Sequence, residues 1–317
     1  MANQEKPLVI CLMGPTASGK TALAVELVQR FPLEIISIDS AMIYRGMDIG
    51  SAKPDAATLS KAPHHLIDIL DPTEAYSAAQ CCDDVNALCA AIVQRGHVPL
   101  LTGGTMMYFH ALQQGLATLP EADAAVRQAL LDEATIYGWG YMHKRLAEVD
   151  PVSGARIHPN DTQRIQRALE VFAVTQTPLS TLWDTSKLTP AYRFMNLILM
   201  PEDRSWLHER IALRFQQMLA EGLIDEVTHL ITTWSLTATH PAMKSVGYRQ
   251  VWAYLQGEYN QAMLAEKGIA ATRQLAKRQL TWLRHWTEKH VLTAEHPAIL
   301  DEMIRLIDDS LGLGRFD

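Results

Sequence analysis

The chain has 317 residues, 48% of them hydrophobic, and 28 basic against 35 acidic residues give a formal net charge of −7. Such a length holds one large α/β domain plus a smaller appendage around a buried core. The acidic balance speaks against a wholly basic nucleic-acid coat, although binding uses local fields and a basic surface remains open to it. Cys11, Cys81, Cys82 and Cys89 show no paired C-x-x-C spacing, which reads as reduced thiols and excludes a disulfide framework or a zinc site. With no apolar signal region before Leu8 and no apolar run of bilayer length, the expectation is a soluble cytoplasmic protein.

The first predicted strand, 8–13, is the apolar run Leu-Val-Ile-Cys-Leu-Met. Gly14, Pro15, Thr16, Ala17, Ser18, Gly19, Lys20 and Thr21 follow it and fit the phosphate-binding pattern G-x-x-x-x-G-K-[ST]. A helix is predicted from 20 to 30. Glycines let successive N–H groups turn inward, and the helix N-terminus adds partial positive charge, so a polyphosphate such as that of ATP belongs there. Lys20 supplies a point charge, and the Thr21 hydroxyl is the expected ligand of a magnesium ion, Mg2+.

A second strand, 33–38, ends at Asp39. In a parallel sheet with right-handed crossovers, that end lies on the same edge as the phosphate loop. Asp39 reads either as a base facing the phosphates or as a cap, with Ser40, of whatever follows. After a helix near 77–95, a third strand at 98–102 runs into Thr102-Gly-Gly-Thr105 and carries no carboxylate. ATP-hydrolysing relatives of the loop hold magnesium with an acid at such a strand end, so this loop serves a different chemistry.

A helix at 105–114 precedes a break at 115–120. From 121 to about 187 only helical patterns occur, the clearest at 162–174, capped by Asn160 or Asp161 and with Ile165, Ala168, Leu169 and Phe172 on one face. Gln163, Arg164, Gln166 and Arg167 lie away from that face, suiting either RNA contacts or plain solvent. Another strand at 195–200 returns to the sheet, and helices follow at 204–221, 222–233, 248–256 and 260–287. On the last of these, Arg273, Lys277 and Arg284 share one face, again either an RNA footprint or a solvated surface. Leu275, Gln279, Trp282 and Trp286 share another that can pack on the core. The predicted fold is α/β, a P-loop NTPase-like parallel sheet covered by helices, with a core domain of 1–118 and 188–317 and an all-helical insertion domain at 119–187.

Several segments together resemble the tRNA dimethylallyltransferase family: 14–21, Asp39-Ser-Ala-Met-Ile-Tyr44 with the following 45–54, Pro63-His-His-Leu-Ile-Asp68, Gly103-Gly-Thr-Met-Met-Tyr108, Gln163-Arg-Ile-Gln-Arg167, Lys244-Ser-Val-Gly-Tyr-Arg249 and Lys277-Arg-Gln-Leu-Thr-Trp-Leu-Arg284. They cover nearly the whole chain in order. Phosphate-loop kinases share the first segment but not the others. The resemblance implies transfer of the dimethylallyl group from dimethylallyl diphosphate to N6 of the adenosine 3′ of a tRNA anticodon, with release of diphosphate. That chemistry makes Asp39 the expected base for the N6 proton and Lys20 the expected charge on the leaving group. Thr105 resembles the family position near the substrate adenosine and joins them as a candidate catalytic residue, and the loop 14–21 with Arg214 is the expected donor site. The implied tRNA contacts, to the anticodon stem-loop, are Asp39, Ser40, Ala41, Met42, Thr105, Arg127, Gln163, Arg164, Ile165, Gln166, Arg167, Lys244, Ser245, Val246, Gly247, Tyr248, Arg249, Lys277, Arg278, Gln279, Leu280, Thr281, Trp282, Leu283 and Arg284. Many members carry Gln where this chain has Met42, so base recognition here leans on other groups.

An allylic diphosphate needs a cradle for its leaving group and no hydrolytic machinery, which accounts for a complete loop beside a missing acid. Donors from Ser18 and Thr21 are expected to assist Lys20. Two other readings stay open: a phosphate-loop kinase of a small metabolite, and an RNA-binding nucleotide switch. No protein partner is implied, and a monomer is expected.

Overall fold

The computed structural model describes residues 6–115, 119–121, 123–184 and 190–312. Its sheet contains strands β1 (Leu8–Met13), β2 (Leu33–Ile38), β3 (His64–His65), β4 (Val98–Gly103), β5 (Arg193–Met200) and β6 (Lys289–Thr293), in spatial order β3-β2-β4-β1-β5-β6 with every pairing parallel. All six residues of β1 are buried. Its unbroken apolar run is what a central parallel strand covered on both faces requires. Gly103 is obligatory beside it, because a Cβ there would lie 2.0 Å from the Ile38 carbonyl oxygen.

Helices α1 (Lys20–Val28), α2 (Ala56–Lys61), α3 (Ala78–Gln94) and α4 (Met106–Gln114) belong to the first half. Ser77 and Gln80 start α3 with a reciprocal capping box. Helices α5 (Ala124–Tyr137), α6 (Trp139–Val149), α7 (Pro151–Arg156), α8 (Thr162–Thr175) and α9 (Leu179–Asp184) fill the insertion; α10 (Arg204–Ala220), α11 (Leu223–Trp234), α12 (Tyr248–Leu255), α13 (Gln261–Arg284) and α14 (Ile299–Leu311) complete the chain.

Two compact units result, residues 1–110 with 191–317, and residues 111–190. The expected boundary at 187/188 lies outside the described residues, and so does residue 118 of the other. In the first unit, Ile10, Leu12, Ile35, Leu100, Leu197 and Leu199 of the sheet pack with Ala24 and Leu27 of α1 and with Met303 and Ile307 of α14. A second cluster joins Ile43, Tyr44 and Met47, which follow β2, to Phe215, Val227, Tyr248 and Leu264 of α10 to α13. There α10 and α13 approach so closely that a Cβ on Gly268 would overlap the Phe215 ring.

The 111–190 unit has its own core of Leu130, Met142, Leu146, Ile165, Leu169 and Val171. Asp161 starts α8, its Oδ1 accepting from the Arg164 N–H. Three sequence expectations change. The last long helix ends at Arg284, not 287, because strand β6 must begin at Lys289, whose Nζ donates to the terminal carbonyls of Leu283 and Arg284. Helix α14 was not foreseen. The core face of α13 is Ala276, Leu280 and Leu283, while Trp282 remains 40% exposed.

Candidate active site

The site lies where strand topology puts it, at the carboxyl edge of the parallel sheet around central β1. Residues 14–21 leave β1, Asp39 leaves β2, Gly104 and Thr105 leave β4, and the chain leaving β5 enters α10. Together with α13 and residues 244–247, these line one cleft of about 800 Å³.

In the phosphate loop, Ala17 and Gly19 both have positive φ, 64° and 94°. A non-glycine residue in this region is strained, and such strain persists where surrounding contacts hold it. Arg210 of α10 provides one such contact, its Nε donating to the Ala17 carbonyl at 2.8 Å while Trp206 stacks on its guanidinium. Lys20 folds back so that Nζ donates to the carbonyls of Gly14 and Pro15 at 2.9 and 2.7 Å. Burial, with Arg214 nearby, pulls its ammonium down to about 7, and Asp39 opposes the shift. Arg214 is likewise lowered by burial, opposed by Asp39. The three charges therefore act on one another across the cleft.

Asp39 makes an Asx turn: its Oδ1 accepts from the N–H groups of Ala41 at 2.8 Å and Met42 at 3.3 Å. The residues after it form a turn, not a helix, so the capping role is local. Oδ2 accepts no hydrogen bond from the described residues. Thr105 Oγ1 accepts from the Ser40 N–H at 3.1 Å, tying the β4 edge to the β2 edge. Met42 is held by a 3.8 Å contact from the Ser37 hydroxyl to its sulfur.

Of the expected donors to the leaving group, Ser18 is displaced. Its hydroxyl is buried, has no partner among the described residues, and sits against Gly14, where a Cβ on Gly14 would meet it at 2.8 Å. Thr21 does line the cleft, and its hydroxyl makes no hydrogen bond to the described residues. Thr21 thus presents an open oxygen of the hard type that magnesium takes together with substrate phosphate and water, while the open Oδ2 of Asp39 is free to accept a proton.

Three cleft residues escaped the sequence reading or received another role. Arg210 is one. His64 is another: its Nδ1–H donates to the Ala62 carbonyl at 2.7 Å, which leaves the buried Nε2 an acceptor with no partner among the described residues, and burial lowers its pKa. Gln279, expected on the core face or against RNA, bonds the Thr16 N–H and the Gly104 carbonyl. The Gln279 contacts have no local signature, because their partners lie 263 and 175 residues away in sequence.

Among the described residues, the cleft wall carries Lys20, Arg210, Arg214, Lys244 and Arg278 against a single carboxylate, Asp39. A chain of net charge −7 has thus gathered an anion-attracting field in one place. Of the implied RNA segments, Lys244, Arg249, Lys277, Arg278, Thr281 and Arg284 are exposed, as is Arg273, which shares a helix face with Lys277 and Arg284. Tyr248, Leu280 and Leu283 are core residues, as is Ile165 in the other unit, so their side chains offer no contact surface. In that unit Arg127 and Arg167 are paired with Glu170, leaving Gln163 and Arg164 the exposed members of the segment.

The family described as IPP transferase matches residues 42–286. The chain belongs to the IPP transferase family. Among other members, the tRNA dimethylallyltransferase of Legionella pneumophila (strain Paris) is 62% identical over 279 residues, covering 88% of this chain and 89% of that one. That of Ralstonia pickettii (strain 12J) is 53% identical over 312 residues and covers 96% of each. The crystal structure of the full-length tRNA isopentenylpyrophosphate transferase from Bacillus halodurans superposes with a TM-score of 0.71 at 33% identity, covering 97% of each chain. An IPP transferase therefore carries this cleft, and its activity is prenyl transfer.

Proposed function

We propose that the protein binds dimethylallyl diphosphate on the phosphate loop and transfers its dimethylallyl group to N6 of the adenosine immediately 3′ of a tRNA anticodon. The observation that carries this reading is the pairing of a five-cation wall with one carboxylate that keeps an open oxygen. The C–O bond of the allylic ester breaks, and its electron pair leaves with diphosphate. The N6 lone pair forms the new C–N bond, and the N6 proton passes to Asp39 Oδ2. Lys20 and Arg214 stabilise charge on the departing diphosphate in a wall of low dielectric, where such charges act more strongly than in water. Magnesium, held by Thr21 with the diphosphate, would supply further positive charge to the leaving group.

The exocyclic amine is a weak nucleophile, so a positioned proton acceptor contributes about 10²–10⁴ in rate. Thr105 fixes the Asp39–Ser40 turn against β4 and so orients that acceptor. The target base must leave its stack to reach the cleft, and the exposed cations of α13 with Lys244 and Arg249 supply an RNA path along the backbone. No helix among the described residues is long and apolar enough to cross a membrane. A monomer acting on tRNA in the cytoplasm completes the proposal.

Calorimetric titration of dimethylallyl diphosphate and of ATP in magnesium tests the donor assignment. Binding of the isoprenoid in preference to ATP supports it. Tight binding of ATP with none of the isoprenoid would move the protein to the kinases.

A further inference from the structure

Gln279 is only 7% exposed and its carboxamide is consumed on both sides. Oε1 accepts from the Thr16 N–H at 2.9 Å, and Nε2 donates to the Gly104 carbonyl at 2.8 Å. The orientation of the amide is fixed by chemistry, since a backbone N–H can only donate and a carbonyl can only accept. Gly104 is fitted to it: a Cβ at that position would meet Nε2 at 2.5 Å.

The two partners belong to the two loops that carry the reacting groups. Thr16 lies in the phosphate loop, four residues before Lys20. Gly104 precedes Thr105, whose hydroxyl holds Ser40 beside Asp39. One side chain of α13 therefore spans from the leaving-group cradle to the anchor of the proton acceptor. It does so from the helix whose exposed face carries Lys277, Arg278 and Thr281.

We infer that Gln279 is a positioning residue that sets the spacing between the phosphate loop and the Asp39–Thr105 loops, and so the alignment of donor and adenosine. It rests on the proposed prenyl transfer. Misplacement of reacting groups by about 1 Å costs about 10²-fold in rate even where binding survives. A strut of this kind acts on kcat, because neither substrate needs the final spacing merely to bind.

The variants Gln279→Leu and Gln279→Glu, with exposed Gln274→Leu as control, test the inference by single-turnover prenyl transfer per folded molecule, KM for each substrate, and melting temperature. Gln279→Leu should lose about 10- to 100-fold in kcat with both KM values within about threefold of wild type. Gln279→Glu keeps volume and polarity should the apolar variant fail to fold. It retains the acceptor for Thr16 but sets a carboxylate against the Gly104 carbonyl. Protonation restores one donor and one acceptor, so its rate relative to wild type should recover as pH falls. An unchanged kcat in the folded variants, or a loss that only tracks the unfolded fraction, would overturn the inference. A rise in KM for tRNA alone would make Gln279 an RNA contact instead. Absence of transfer by the wild-type protein would overturn the underlying function, a distinct result.

Discussion

Arg127 and Glu170 form a 2.9 Å ion pair in which the carboxylate is wholly buried and the guanidinium half-exposed. The same carboxylate accepts from the Asp123 N–H and from Arg167, whose second amino group donates to the Pro120 carbonyl. Burying a lone carboxylate costs several kcal/mol, so two arginines expected on an RNA face serve first to neutralise the interior of the 111–190 unit. Arg164 faces the opposite situation, with 73% of its side chain exposed beside Asp161.

These arginines should separate experimentally. Arg164→Gln is expected to weaken tRNA binding and lower the slope of log affinity against log salt by about 0.7–0.9, the share of one phosphate contact, with no change in melting temperature. Arg127→Gln and Arg167→Gln should instead destabilise the unit, by about 1–3 kcal/mol each, because each leaves a buried acceptor short of a charged donor. Thermal melts and salt titrations of the three variants check this.

On α13, Arg273, Lys277 and Arg284 are all exposed, as the sequence spacing requires. Replacing all three with Gln should flatten the salt slope by about two to three units and weaken tRNA binding at low salt. Binding of dimethylallyl diphosphate should stay unchanged. A constant slope in the folded triple variant would return this face to solvent.

The parts of the site that obey local rules were readable from the chain. The phosphate loop needs its glycines and lysine at fixed intervals, and Asp39 follows a strand whose apolar run is plain. What escaped is of two kinds. Strand β3 has two residues and β6 buries only Leu292, too short or too irregular for a period to show. Helix α14, by contrast, carries Ile299, Met303 and Ile307 at four-residue spacing, a signal present in the sequence. The clasps on the loop, Arg210 to Ala17 and Gln279 to Thr16, depend on α10 and α13 folding back against the sheet edge. No local pattern encodes that return, although a polar residue at a helix position facing the core, as Gln279 is, marks a buried hydrogen bond to be found.

Asp39→Asn preserves the Asx turn, since an amide Oδ1 still accepts from Ala41 and Met42, but it removes the proton acceptor. The single-turnover rate should fall by about 10²–10⁴ with both substrates bound and melting temperature unchanged. A drop in stability with full activity per folded molecule would make Asp39 a turn residue only.

Lys20 gives a pH signature. Its pKa is about 7 in the protein alone, and a bound diphosphate favours the charged form, so binding raises that pKa. Below about 7 the lysine is already protonated and contributes no proton uptake. Above it, binding should draw in up to one proton, and the Lys20 contribution to affinity should decline by as much as about tenfold per pH unit. Calorimetry at pH 8 in buffers of different ionisation enthalpy measures the uptake, and Lys20→Ala should abolish the Lys20 share while weakening diphosphate binding and slowing transfer.

Incubation of the protein with magnesium, dimethylallyl diphosphate and tRNA lacking the modification, followed by nucleoside digestion and mass spectrometry, tests the central claim most directly. Dimethylallyl transfer predicts one N6-prenylated adenosine per tRNA, located immediately 3′ of the anticodon, with stoichiometric diphosphate and strong dependence on Asp39. Unmodified tRNA alongside phosphoryl transfer from ATP to a small molecule would contradict it.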